Sequence, residues 1–198
     1  MSPVAGILEA IDSPLYDTIS LPLGMSYGNK AIAFEHPIGA MFARPKDGKL
    51  VPKTLLETNL IDSRALSAPH RFVVAAIRAA LFSRDGLLLP LTSRFYRGGV
   101  LDFRIAQKPY WTGPLWKCAD PAALFFASDR LAAFDKDERA ELIRALRCGI
   151  SKNVRPEIRE YEPFHVEIAF DKSFGWRDLT APGSLVVLLE GIRARAVV

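Results

Sequence analysis

The sequence predicts an all-β fold built as an antiparallel sandwich, and three observations support that prediction. Gly99–Ile105 alternates apolar and polar side chains with a period of two, which is typical of a strand with one buried and one exposed face. Phe164–Phe170 repeats the alternation more cleanly. The 14 prolines and 13 glycines are scattered along the 198 residues, as expected for short strands joined by turns. We therefore expect two sheets with a hydrophobic core between them.

The first third of the chain is predicted to contain a short arm followed by strands. Residues 1–14 form the arm, in which Ala5–Ile11 fits either a helical turn or an edge strand. Strands are predicted over Leu15–Pro22 and Ala31–Phe34, and Lys53–Leu60 is ambiguous between strand and loop. From residue 15 to residue 198 we expect one domain, because 198 residues correspond to one domain or two small ones.

The middle of the chain is predicted to supply two strands of the sandwich. Phe72–Phe82 is rich in alanine, so a helix competes, but its short length and its Phe-Val-Val start favour a strand. The pair Gly98-Gly99 is expected to form a turn that tolerates positive φ before the central strand Gly99–Ile105. Pro109 cannot donate a hydrogen bond to a sheet, so pairing should stop there or lie at a sheet edge.

Residues 119–149 break the strand pattern and are predicted to form a helical insertion. Asp135 and Glu138 have the spacing of a capping box, and Gly149 is a suitable stop. A helix over about 136–148 follows from these signals. Further on, Gly191 interrupts the apolar run 184–198, which suggests a bulge or a sharp bend in the last strand.

Charge and cysteine content limit the compartment and the partners. Cys118 and Cys148 do not make a disulfide framework. They fit two free thiols used as small apolar residues, although a single bridge stays open, and they favour folding in a cytoplasm. Residues 71–118 hold eight Lys and Arg against two acids, a net charge of +6 in a chain of net charge +4. This excess fits either a surface that meets phosphate groups or the solvated faces of strands. The candidate basic face consists of Arg94, Arg97, Arg104 and Lys108.

No motif for catalysis is found, so we expect no enzyme activity and no cofactor. Phosphate-binding Gly-x-Gly-x-x-Gly and Gly-Lys-Ser/Thr loops and the Gly-x-Ser-x-Gly elbow do not occur. His165 and Glu167 share one strand face and can begin a metal site of the cupin type, but only His36 and His70 remain as further imidazole ligands. We therefore expect no metal.

Four aromatic residues are candidates for an interface. Such side chains can stack on sugars or bases, but core and interface packing is their ordinary use. We assign the candidate interface to Tyr110, Trp111, Trp116 and Trp176.

Several short motifs occur together along the chain. Gly99–Ile105 is followed by Lys108-Pro109-Tyr110, and an upstream Lys53-Thr54 is followed by Thr58-Asn59-Leu60. They are joined by Ala68-Pro69 with Phe72, and by Leu189-x-Gly191 with Arg193. Together these residues resemble the jelly-roll capsid proteins of icosahedral, often membrane-containing, viruses of bacteria and archaea. The resemblance covers roughly residues 15–118 and 160–198.

The resemblance implies a jelly roll of about eight strands in a virion structural protein. Such a chain folds in the host cytoplasm and is then part of the virion. It associates with copies of itself as a trimeric or pseudo-hexameric capsomer, and with other virion proteins, to form an icosahedral shell. Its basic segment is expected to face the genome or an internal membrane. The alternatives are a carbohydrate-binding β-sandwich and, third, a cupin-like metal enzyme.

Overall fold

A computed structural model of the chain shows an all-β architecture. It describes residues 8–21, 30–43, 48–83, 85–89, 94–119, 148–149, 155–170 and 183–196. Within these ranges the strands are β1 (Leu8–Asp12), β2 (Leu15–Ser20), β3 (Lys30–Ala33), β4 (Met41–Ala43), β5 (Leu50–Pro52), β6 (His70–Phe82), β7 (Gly99–Ile105), β8 (Lys108–Pro114), β9 (Cys148–Gly149), β10 (Glu157–Ile158), β11 (Phe164–Phe170) and β12 (Ser184–Ala196). The same residues include one short helix, α1 (Arg94–Gly98), and a 3₁₀ turn over Leu115–Cys118.

The first sheet is built around the two long antiparallel strands β6 and β12. Their pairing runs from Ser184 opposite Phe82 to Arg195 opposite His70. The other edge of β12 pairs with β2 and then with β1, while β9 and β10 pair with the far edge of β6. The two long strands therefore form the centre of this sheet.

The second sheet has the antiparallel order β3–β11–β7–β8. Strand β7 lies between two neighbours, as predicted for the central strand. Strand β8 lies at the edge and contains Pro109, which confirms the expectation that this proline ends regular pairing or sits at an edge. Strands β4 and β5 pair with each other and form a separate two-stranded hairpin.

The inner faces of both sheets contribute to one hydrophobic core. Alternate residues of β11 are buried between the sheets, and His165 and Glu167 point away from the core, as predicted. The prediction of an antiparallel all-β sandwich is therefore confirmed. Burying one such side chain stabilises the fold by about 1.5–3 kcal/mol. The largest fully buried side chains include Tyr96, Phe34, Phe72, Phe103 and Phe164.

Two of the ambiguous segments are resolved by the structure. Residues 70–82 form a single strand, so the preference for strand over helix is confirmed. Part of the arm, Leu8–Asp12, is an edge strand paired with β12. The predicted helix over about 136–148 lies outside the described residues except for its last residue: Cys148 belongs to strand β9, so the helical assignment is wrong there, because this residue pairs with Ile77 of β6.

Two glycines are required by close packing. The pairing of β12 with β6 shifts between Glu190 and Gly191, which confirms the predicted irregularity. A Cβ atom on Gly191 would lie 2.0 Å from the carbonyl oxygen of Val73. On Gly99 it would lie 2.7 Å from Leu115 Cδ2. Positive φ, which was expected at this Gly-Gly pair, is found instead at Gly39, Gly48 and Gly86.

In the part of the chain that the structure describes, no helix has the length and apolar character needed to cross a membrane.

Candidate functional site

The connection between β3 and β6 exposes an unusual amount of apolar surface. The described residues expose twelve large hydrophobic side chains, and half of them belong to residues 38–61. Leu56 is the most exposed of all, at 89%. Exposed apolar side chains that concentrate in one place mark interaction surfaces. We call this set the apolar segment; it consists of Ile38, Met41, Leu50, Leu55, Leu56 and Ile61.

Backbone hydrogen bonds hold the apolar segment together. The Ile38 amide donates to the carbonyl of Leu60 at 2.9 Å, and the Gly39 amide donates to the carbonyl of Lys53 at 2.9 Å. Met41 lies opposite Pro52 in the β4–β5 hairpin. These bonds close the hairpin and the following loop onto each other, so the exposed side chains are presented by a fixed backbone.

The same loop covers the free edge of strand β2. The Thr18 amide donates to the carbonyl of Glu57 at 2.7 Å, and the Tyr16 amide donates to Asn59 Oδ1 at 3.0 Å. Asn59 Nδ2 in turn donates to the carbonyl of Pro14 at 2.7 Å. Covering a sheet edge in this way prevents that edge from pairing with another chain. Association through this region must therefore use side chains rather than the strand edge.

A buried ion pair joins this loop to the sandwich. Lys53 Nζ lies 2.5 Å from Asp17 Oδ1, and both side chains are almost completely buried. The Phe34 amide donates to Asp17 Oδ2 at 2.7 Å, and Thr58 also hydrogen-bonds this carboxylate. Burial raises the pKa of Asp17 above its ordinary value, against the lowering effects of Lys53 and of the hydrogen bonds. Because the pair is sealed from solvent, its role is to position the loop rather than to meet a substrate.

Asp17 was visible in the sequence but was not recognised. The alternation of β2 places it on the same face as Leu15 and Leu21, which are buried in the core. A carboxylate on the inner face of a strand needs a partner, since burying an unpaired charge is costly. That requirement is a sequence-level signal, although the sequence does not say that the partner is Lys53.

Three of the four candidate interface aromatics lie within the described residues, in β8 and in the 3₁₀ turn that follows it. Tyr110 and Trp111 are half-buried and pack against the sandwich core. Trp116 is 39% exposed, with Lys117 Nζ 5.7 Å from its ring centroid. Trp176 lies outside the described residues. Of these four residues, Trp116 offers the most accessible ring in the described part of the chain.

The residues of the candidate basic face belong to three successive elements, α1, β7 and β8. Arg97 is exposed in α1, before β7 begins, and Lys108 is exposed after β7 ends, with its ammonium 5.1 Å from the Tyr110 ring centroid. Arg104 forms an ion pair with Asp102, Nε to Oδ2 at 2.6 Å. The structure places Arg94 in α1, but its side chain is outside the described atoms.

The outer face of the second sheet carries a nearly balanced set of charges. Besides the Arg104–Asp102 pair, Lys30 Nζ lies 2.7 Å from Glu167 Oε1. Hydrogen bonding to Asp102 raises the pKa of Arg104. Burial, followed by the charge of Arg64, lowers the pKa of His165 on the same face. Of the eight basic residues counted in residues 71–118, Arg104 is therefore compensated on this face by a carboxylate.

His165 and Glu167 share this outer face, as predicted. Within the described ranges, no three His, Cys, Asp or Glu side chains are grouped so that they can hold a metal ion. His36 follows β3, and His70 begins β6, so the histidines belong to separate elements.

Comparisons with protein-family models, with curated proteins and with solved structures gave no match. The function must therefore be argued from the molecule itself.

The arrangement of the described residues suits contact with other macromolecules. The space between the sheets is filled by apolar side chains, so the side chains available for contact are the exposed ones on the outer surface. Small-molecule sites are ordinarily concave and mostly enclosed, whereas the side chains of the apolar segment are exposed on a hairpin and the loop that follows it. The site that the geometry favours is therefore a protein–protein contact.

Proposed function

We propose that this chain is a structural subunit of a viral capsid, which associates with copies of itself to form a shell. The observation that limits the proposal to a few classes of protein is the order of the strands in the two sheets. The first sheet contains β2–β12–β6–β10 and the second contains β3–β11–β7–β8. Numbered one to eight along the chain, these strands have the orders 1-8-3-6 and 2-7-4-5.

This order supports a jelly roll, the finer form of the sandwich. Successive strands of these eight alternate between the two sheets, except that β7 and β8 are neighbours in the second sheet. This alternation arises when a long hairpin is wrapped around a barrel, and the resulting topology contains two Greek keys. Capsid proteins, lectins and cupins share the jelly roll. The choice among them depends on the surface rather than on the fold.

The surface favours the capsid subunit. A lectin-like module would use several exposed aromatic rings, but Tyr110 and Trp111 pack against the core, and Trp116 is the exposed ring among the described candidates. A cupin-like enzyme would need more metal ligands than His165 and Glu167, which lie together on an outer sheet face. The apolar segment instead supplies a surface for association, and we propose a second copy of this chain as its partner. Symmetric repetition then turns many weak contacts into a stable shell.

Assembly is tested on the purified full chain. Sedimentation velocity over a range of concentrations should show a discrete oligomer of the size of a capsomer, and electron microscopy should show rings, sheets or shells at the highest concentration. A protein that stays monomeric throughout, alone and with the other virion proteins encoded beside it, would contradict the proposal. Genes for a packaging ATPase next to the gene of this chain would agree with it.

A further inference from the structure

A cleft with basic walls lies at one end of the first sheet, and its lining includes no residue of the apolar segment. Its space is about 190 Å³, and its lining consists of Ile11, Ser13, His70, Arg193 and Arg195. A water molecule occupies about 30 Å³ of liquid, so the cleft has room for about six waters or for one small ion with part of its hydration shell.

Arg193 lies on the core-facing side of strand β12. It is opposite Phe72 in β6, and two residues earlier Gly191 is opposite Val74. Both Phe72 and Val74 are buried in the core, so side chains at these positions of β12 point inward. An arginine at the end of an apolar row is unusual, because charged side chains are almost never buried without a partner.

The guanidinium of Arg193 has no such partner in the described residues. Its Nε is shut off from solvent and makes no hydrogen bond there. Burial lowers the pKa of Arg193, and no neighbouring charge contributes to the change. Arg78 and Arg104, in contrast, each lie 2.6 Å from a carboxylate. A half-buried cation without an acidic neighbour favours the binding of an anion.

The other walls of the cleft suit an oxyanion. Ser13 supplies a hydroxyl, which can donate to an oxygen of the ligand. The Nδ1 of His70 lies 3.1 Å from the carbonyl oxygen of Ser67, to which it donates, so the ring orientation is fixed by the backbone. Arg195 adds positive charge, although it also takes part in another interaction and the argument does not depend on it.

We propose that this cleft binds a phosphate group, with the guanidinium of Arg193 as its principal donor. Several donors from different directions suit the tetrahedral oxygens of phosphate better than the two oxygens of one carboxylate. The group can come from free phosphate or from the phosphodiester of a nucleic acid, and the chemistry at Arg193 is shared. This binding does not require assembly, so it is measured on the unassembled subunit and its failure would leave the proposed shell function untouched.

Titration calorimetry with inorganic phosphate, at constant ionic strength, tests the proposal. We expect saturable binding by the wild type and an affinity at least about tenfold lower in Arg193→Gln, because a charge-assisted hydrogen bond is lost. The control is Arg71→Gln, which makes the same change of charge in an exposed side chain that pairs with Glu157 at 3.6 Å. This control should bind phosphate like the wild type.

Further measurements separate the possible outcomes. Arg193→Gln should melt no lower than the wild type in phosphate-free buffer, since an uncompensated charge is removed, and should lose the stabilisation that phosphate gives. Competition by a short oligothymidylate would identify phosphodiester as a source, and its absence would restrict the site to free phosphate. Equal affinity for acetate and phosphate, equal loss in both variants, or no binding by the wild type would overturn the proposal.

Discussion

Asp17 shows how one residue can join separate parts of this fold. Its carboxylate contacts Lys53, the hydroxyl of Thr58 and the backbone amide of Phe34. Phe34 is buried and has φ +68°, a left-handed conformation that costs a non-glycine residue free energy unless its surroundings hold it. The carboxylate therefore stabilises both the strained residue after β3 and the loop that presents the apolar segment.

Replacing this carboxylate should destabilise the fold strongly. In Asp17→Asn the ammonium of Lys53 stays buried without a counter-charge, which we expect to lower the free energy of unfolding by about 3–5 kcal/mol. Urea denaturation measures the change. The double variant Asp17→Asn/Lys53→Met should recover much of the loss, because both charges are then absent.

The matched control for this variant is Asp102→Asn, which breaks the more exposed ion pair with Arg104. Such pairs contribute at most about 1 kcal/mol. Equal effects of Asp17→Asn and Asp102→Asn would show that the burial of the Asp17–Lys53 pair has no special importance.

His165 should make stability depend on pH. Its pKa is lowered in the folded state, mainly by burial and then by Arg64, so the unfolded chain binds the proton more readily. The contribution of His165 to stability is therefore complete above its ordinary pKa of 6.5 and is lost as the pH falls through its lower folded value. Urea denaturation between pH 8 and pH 5 should show a smaller loss of stability in His165→Gln than in the wild type.

The comparison for this measurement is His36→Gln, which removes an exposed imidazole after β3. The difference between the two variants isolates the effect of the environment of His165. An equal flattening of the pH dependence in both variants would contradict the expected effect of the environment of His165.

At the scale of the element, the pairing of β6 with β12 contains the most informative irregularity. Glu190 lies opposite Ala76 and Gly191 lies opposite Val74, so Ala75 is an extra residue in β6. The buried residues of β6 consequently change phase, and the neighbours Ala76 and Ile77 are both buried. The helix that competed with a strand in the sequence rested on the alanine content of this segment, and tertiary pairing overrides that propensity.

Gly191 should be indispensable to this irregularity. In Gly191→Ala the new Cβ would lie 2.0 Å from the carbonyl oxygen of Val73 and 2.9 Å from the Phe72 ring, so the backbone must move. We expect a loss of about 3 kcal/mol in the free energy of unfolding, at the upper end of overpacking effects. Chemical denaturation tests this.

Gly48→Ala is the comparison variant for Gly191→Ala. Its Cβ meets nothing within 4 Å, so only the left-handed φ of +67° opposes it. A cost of roughly 1–2 kcal/mol is expected for that conformation. A Gly191→Ala variant no less stable than this one would contradict the close approach of the two strands.

A strand could be predicted from the sequence where one of its faces is buried in the core and the other points away from it along the whole strand. In β11 every second side chain is buried, so period two is unbroken and the strand was located to the residue. The candidate functional surface was harder to predict from the sequence, because it depends on contacts between residues that are far apart in the chain. Lys53 is 36 residues from Asp17, and nothing local to either identifies the pair.

The same limitation applies to the basic residues. Their number in residues 71–118 is a property of the sequence, but Arg104 pairs with Asp102 while Arg193 has no described partner, and only the fold decides this. Counting charges therefore directed attention to β7, whereas Arg193, a half-buried cation without a partner among the described residues, lies in β12. The apolar segment was overlooked for a related reason, since exposed leucines cannot be told from buried ones by type.

At the scale of the whole molecule, the residues that stabilise the sandwich differ from those that we propose for association with other copies. Its core is closed by two sheets, while the connection between β3 and β6 presents apolar side chains and covers the free edge of β2. Contacts made by side chains can be repeated with defined geometry in a closed assembly, whereas a free edge invites open-ended pairing. This division suits a protein whose function is to associate with its own copies.

Changing the apolar segment should therefore disrupt assembly without unfolding the subunit. Leu55 and Leu56 are both highly exposed, so Leu55→Asp/Leu56→Asp should leave the melting temperature of the subunit nearly unchanged. If each leucine contributes about 1.5 kcal/mol of burial at the contact, the dissociation constant should rise by about a hundredfold. Sedimentation velocity should then show monomer at concentrations where the wild type is oligomeric. Leu87→Asp is the control, because Leu87 is 70% exposed but lies outside the segment, after β6. If the double variant assembled like the wild type while Leu87→Asp did not, the interface would have to be placed at the other end of β6.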